Sequence, residues 1–244
     1  MIEIEKILEK QRAWQEASTD DESAIRAMAL ESLSKCAEAI AILSENLRKI
    51  GYGWVSSEPI PANELEGSIR MIEETTGLSI PKVLVAFWKM IGGISFVDLE
   101  RYRHVNFWHN HKITAPQGFA DGLHVYACSR EWASYLCDEY EAWQEDQQDE
   151  GEPFLLELSP DGYHKDNISG GESYGVFAES AWKPIWQYFE WSGVVKPVTA
   201  FADPPDFLSY LRTTVLECAG FPGLLGTPAF DSLRSKLLEG VPLF

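Results

Sequence analysis

From Asp20 to Ile50 the chain runs without a glycine or proline, and one apolar stripe recurs along it. Ile25, Met28, Leu33, Cys36, Ile40, Leu43, Leu47 and Ile50 follow one another mostly at steps of three and four. That period predicts a long helix with a single apolar face. Such a helix gains most of its stability by burying the face, so any fold must supply a second surface. The surface can be the chain's own body, a second copy, or a client protein. Thr19 and Glu22 have the spacing of a capping box at the start. Arg48 and Lys49 suit the C-terminal end of the helix dipole, and Gly51 can terminate it. Residues 3–16 hold a shorter amphipathic stretch with Ile4, Ile7, Leu8 and Trp14. Ser18, Thr19 and Asp20 form the turn, so residues 1–50 read as a helical hairpin.

Residues 51–62 carry Gly, Ser and Pro without a period and read as a linker. Asn63 with Glu66 signals a new helix, with Leu65, Ile69 and Ile72 on its apolar face and Gly77 at its end. Pro81 suits the first turn of the next helix, where its missing N–H is not needed. Leu84, Phe87, Trp88 and Ile91 give that helix its buried side, and Gly92-Gly93 breaks it. The texture then changes. Short β-prone runs appear at Ile94–Leu99, Leu123–Cys128, Phe154–Leu158, Tyr174–Phe177 and Val194–Thr199. Helical stretches at 129–145, with Ser129 as cap, and at 204–219, opened by Pro204-Pro205, interrupt them. The order predicts an α+β fold: a mostly antiparallel sheet flanked by helices, spanning residues 63–219, with the hairpin before it and a tail at 220–244.

The segment from Glu73 through Gly77, Ile80-Pro81 and Phe87-Trp88 to Gly92-Gly93 resembles the opening signature of the SUKH superfamily. Asp206-Phe207-Leu208-Ser209-Tyr210-Leu211 is similar to its closing helix, so the resemblance spans roughly residues 63–216. Two departures stand out. Ile91 occupies the place where the family often has Asn, and the long N-terminal hairpin lies outside the common pattern. The resemblance implies a SUKH-like α+β fold and a binding role rather than an enzymatic one. Bacterial members look like immunity proteins that neutralise toxins, often nucleases. Others look like scaffolds or regulators.

Charge narrows the partner. The formal net charge of −18 repels nucleic acid and anionic membranes, and it steers basic proteins toward the surface. Cys36, Cys128, Cys137 and Cys218 are scattered, with no CxxC pair, so buried reduced thiols are expected rather than a disulfide framework or zinc knuckle. The charged, amphipathic first residues are unlike a signal peptide, and no apolar run reaches membrane-spanning length. A cytoplasmic location is the expectation.

The densest acidic segment runs from Asp138 to Asp161, with no Lys or Arg inside it. A run of this kind is commonly a solvated face. Here aromatics sit within it, and Leu136, Tyr140 and Trp143 share one helical side. The partner-binding residues expected from this pattern are Trp132, Tyr140, Glu141, Trp143, Glu145, Asp146, Asp149 and Glu150. The acids would mimic phosphate charge and speed encounter with a basic toxin domain, and the aromatics would anchor the contact. A cytosolic scaffold or regulatory protein-binding module is the alternative.

Chemistry offers one rival. His104, His109 and His111 form a cluster, and in an extended segment His109 and His111 would share a face as a metal pair for a hydrolase. No HExxH helix accompanies them. The loop at 163–172 places Lys165 before Gly170-Gly171, the wrong order for a phosphate-binding loop, and it reads as a connection between strands. No Gly-x-Ser-x-Gly occurs. Nothing in the pattern calls for a cofactor.

Overall fold

A computed structural model describes residues 3–98, 101, 103–114, 122–146, 154–159, 174–178, 181–183 and 206–244. Two helices open the chain, α1 (Ile4–Glu16) and α2 (Glu22–Lys49). Strand β1 (Ser56–Glu58), helices α3 (Ala62–Thr76) and α4 (Lys82–Met90), and strand β2 (Gly93–Ser95) follow. Then come α5 (Arg103–Asn110), β3 (His124–Val125), α6 (Arg130–Asp146), β4 (Leu155–Ser159) and β5 (Tyr174–Phe177). The chain closes with α7 (Phe207–Arg212), a π-helical turn at Thr213–Glu217, a 3₁₀ turn at Pro222–Leu224 and α8 (Pro228–Leu237).

The mixed α+β class is as expected, but helix dominates and the strands are short. Among the described residues there are two antiparallel sheets instead of one. In the first, β2 lies between β1 and β3, with Ser56 opposite Ser95 and Ser95 opposite His124. In the second, β4 pairs with β5 through a bulge between Glu157 and Ser159. The Tyr126 amide donates to Leu158 O at 2.8 Å and links the two. The expected strand at 94–99 is cut short because Phe96 turns into the core, where its carbonyl accepts from the Tyr52 hydroxyl. The expected run at 194–199 lies outside the described residues.

The stripe of α2 packs inward. Ile25, Leu33, Cys36, Ile40, Leu43 and Leu47 are buried against α4, α7 and α8, in one core with the rest of the chain. The hairpin is tied down by polar bonds as well. Trp14 Nε1 donates to Asp206 Oδ1, Gln11 Nε2 donates to Thr213 Oγ1, and Asn46 Nδ2 donates to Leu237 O and Glu239 O. Residues of the expected tail belong to the same core: Phe221, Leu224, Phe230 and Phe244 are all buried.

Several local signals differ from expectation in which residue serves. Asp21, not Thr19, caps α2, its Oδ1 accepting the Ala24 amide at 3.0 Å. Carboxylate and hydroxyl are near-equal caps, so neighbouring candidates compete. Helix α3 starts at Ala62 behind Pro61, so Asn63 already lies inside it. Pro81 occupies the cap position before α4 instead of its first turn. Gly77 ends α3 in the left-handed region at φ 69°, and Ser129 Oγ accepts the Trp132 amide at 3.2 Å, both as the sequence implies.

The many aromatic residues are largely internal. Tyr52 stacks on Trp108 at 5.3 Å, and Trp108 meets the edge of Phe221 at 4.7 Å. Among the described residues Tyr135 is the exposed large hydrophobic side chain.

Candidate functional site

Helix α6 packs its inner side on α3. Ala133, Leu136, Cys137 and Tyr140 are buried, while Glu131, Tyr135, Asp138, Glu139, Glu141 and Glu145 are exposed. The exposed set recurs at the helical period, so it forms one outward face. None of its carboxylates pairs with a basic side chain among the described residues. Tyr135 sits in the middle, four residues from Glu131 and four from Glu139. Burial, and then the carboxylates of Glu157 and Glu139, raise its phenol above the ordinary value.

The structure divides the expected partner-binding residues. Glu141 and Glu145 are exposed on the acidic face. Asp146 is the last residue of α6. Asp149 and Glu150 lie outside the described residues. The aromatic anchors turn the other way. Trp132 is 6% exposed and packs on Trp88 at 5.4 Å. Tyr140 is buried and stacks on Trp143 at 5.5 Å, and Phe154 meets Tyr140 edge-on at 5.1 Å. These rings are engaged with the core because the apolar period of α6 runs through them, and Trp143 is only half-buried at its edge. On α6 the fully outward aromatic is Tyr135.

A groove of about 660 Å³ opens between the outer face of the first sheet and the N-terminal half of α6. Ser56, Ser95 and His124 form a polar row across its three strands, set by the register. Trp132, Tyr135 and Glu131 of α6 line its helix side, and Tyr126, just past β3, lines it as well. No local signal marks this row in the sequence; it exists only once three distant segments pair. Its size is that of a site for a small ligand or a short peptide segment.

The groove brings an imidazole and a hydroxyl into contact. His124 Nδ1 lies 3.1 Å from Ser95 Oγ, and that hydroxyl is 3.5 Å from Val97 O. The Trp132 indole N–H has no acceptor among the described residues. An enclosed donor left unpaired costs about 1–3 kcal/mol.

The histidine cluster does not assemble. Its segment is the helix α5, not an extended strand, so His109 and His111 do not share a face by alternation. His104 is fully buried, and its Nδ1 accepts the Asp98 amide at 3.1 Å. His109 and His111 are exposed, the latter lying against the Phe107 ring at 4.1 Å. Among the described residues no three His, Cys, Asp or Glu side chains converge on a metal position. The four cysteines are free and buried, as expected. No helix among the described residues is long and apolar enough to cross a membrane. The loop at 163–172 lies outside the described residues.

Comparison with protein-family models, with curated proteins and with solved structures returned no match.

Proposed function

We propose that this chain is a protein-binding module whose α6 face docks a basic protein partner. The observation that carries the reading is the outward arc of unpaired carboxylates around Tyr135. Glu131, Asp138, Glu139, Glu141 and Glu145 share one solvent-facing side, with no ion-pair partner among the described residues. Such a face accelerates encounter with a positively charged surface and disfavours acidic competitors. Tyr135 supplies the amphipathic ring that interfaces favour at their centre.

The SUKH resemblance of residues 63–216 makes the partner a toxin domain and the role that of an immunity protein. Its mechanism is occlusion: the acidic face covers the basic groove by which a nuclease holds its substrate.

The test uses a basic protein recovered with this chain by affinity capture. Calorimetry compares the native protein with the double variant Glu141→Lys/Glu145→Lys. The variant is expected to bind about tenfold or more weakly, with a flatter dependence on salt. Equal affinity for the two proteins, at both low and high salt, overturns the reading.

A further inference from the structure

The groove beside α6 has a chemistry of its own that the acidic face does not use. Its walls are aromatic, with Trp132 and Tyr135 from α6 and Tyr126 from the segment just past β3. Its rim is anionic. Glu131 lines it, and Glu157 and Glu139 lie close enough to Tyr135 to hold the phenol proton more tightly. Its sheet side offers the hydroxyls of Ser56 and Ser95. Trp132, nine-tenths buried at the wall, keeps an indole N–H with no acceptor among the described residues.

Each component answers to one kind of group. Aromatic faces attract a cation through their ring quadrupole, and arginine more often than lysine because its planar head also stacks. A carboxylate at the rim matches the guanidinium fork. Serine hydroxyls accept its remaining N–H groups. An unmatched indole donor needs an oxygen acceptor, which a peptide backbone carries at every residue.

We propose that this groove receives an arginine-bearing segment of the protein partner, with the guanidinium between the aromatic wall and Glu131. The inference rests on the reading of the neighbouring α6 face as a docking surface for a basic protein. It adds a specific pocket to a diffuse electrostatic attraction, and so names what the partner must present.

The experiment observes the tryptophan indole resonances of the full-length protein by ¹⁵N–¹H correlation, with the Trp132 signal identified by its loss in Trp132→Phe. The probe is the blocked pentapeptide acetyl-Ala-Leu-Arg-Leu-Ala-amide. It should move the Trp132 signal saturably. Its citrulline counterpart, neutral but equal in shape, should bind about tenfold more weakly. Glu131→Gln should weaken the arginine peptide by a similar factor, and Tyr135→Ala, at an exposed position, by about threefold. Equal binding of the arginine and citrulline peptides overturns the proposal, as does a response confined to resonances away from Trp132. Free arginine amide binding as tightly as the pentapeptide overturns the peptide-segment claim in favour of a small-molecule cation site. The two readings fail separately. Loss of partner affinity in Glu141→Lys/Glu145→Lys without any effect of Glu131→Gln removes the groove alone. Groove binding by the peptide with no effect of the double reversal removes the face.

Discussion

The Trp14 indole donates to Asp206 Oδ1 at 2.8 Å, joining side chains 192 residues apart in sequence. Both are buried. Asp206 also caps α7, accepting the amides of Leu208 and Ser209 and the Ser209 hydroxyl. One carboxylate thus fixes the start of the closing helix and the end of the opening one.

Removing the indole donor should show it. Trp14→Phe keeps an aromatic ring in place but deprives Asp206 of one bond to a charged acceptor. The expected loss is about 1.5–3 kcal/mol in unfolding free energy, measured by urea titration. In a double-mutant cycle with Asp206→Asn the two losses should be far from additive, since the residues share one bond. Additive losses would mean that the contact does not couple the two ends.

Thiol chemistry reports burial. Desolvation pushes the Cys36 and Cys218 thiols well up, and that of Cys128 up to about 12. A thiolate is the reactive form, so native protein at pH 8 should resist iodoacetamide at these positions. Cys137 is 8% exposed and should be labelled first. All four should react promptly in guanidinium, as read by mass spectrometry of the alkylated peptides.

Two glycines separate backbone conformation from space. Gly77 ends α3 at φ 69°, with nothing within 4 Å of where a Cβ would stand. Gly77→Ala should therefore cost only the left-handed penalty, about 1–2 kcal/mol. Gly220 combines φ 83° with a Phe96 ring carbon 2.5 Å from that same position. Gly220→Ala should lose distinctly more, seen as a larger fall in Tm by calorimetry, because Phe96 is enclosed and has nowhere to retreat.

Acid sensitivity should centre partly on Asp98. The Arg103 guanidinium, 2.6 Å from Oδ2, holds its carboxyl below the usual aspartate range, and the amides of Arg103 and Arg101 add to this. A depressed folded value means that the stabilisation is present above the unfolded pKa and is lost as pH falls through the folded one. Tm measured from pH 7 downward should therefore fall more steeply in the native protein than in Asp98→Asn, with the two curves converging once the pH lies below the depressed folded value. Parallel curves would show that the pair contributes nothing.

The sequence carried the helices better than the sheets, for a physical reason. The stripe of α2 and the Gly77 terminus are local patterns, and each element follows from residues within a few turns. The strands are three to five residues long or shorter, and what fixes them is a partner segment, as when Ser95 meets His124. The acidic side of α6 was legible because charge periodicity is local. The rings of Trp132 and Tyr140 turn inward, with Trp132 meeting solvent at the groove wall, because one period serves core packing and partner binding alike. Tyr135 differs from them only in facing outward, by a rotation of the helix that tertiary contacts decide. The groove could not be read at all, since Ser56, Ser95 and His124 become neighbours only by pairing.

The bonds from Asn46 to the carbonyls of Leu237 and Glu239 carry a consequence for biosynthesis. The apolar side of α2 emerges from the ribosome long before the residues that finally cover it. At typical translation speeds the delay is roughly ten to forty seconds. During that interval a greasy ribbon some eight turns long is available to any chaperone, or to another nascent chain. Expression yield in the cell should accordingly depend on holdase supply more than on the stability of the finished protein.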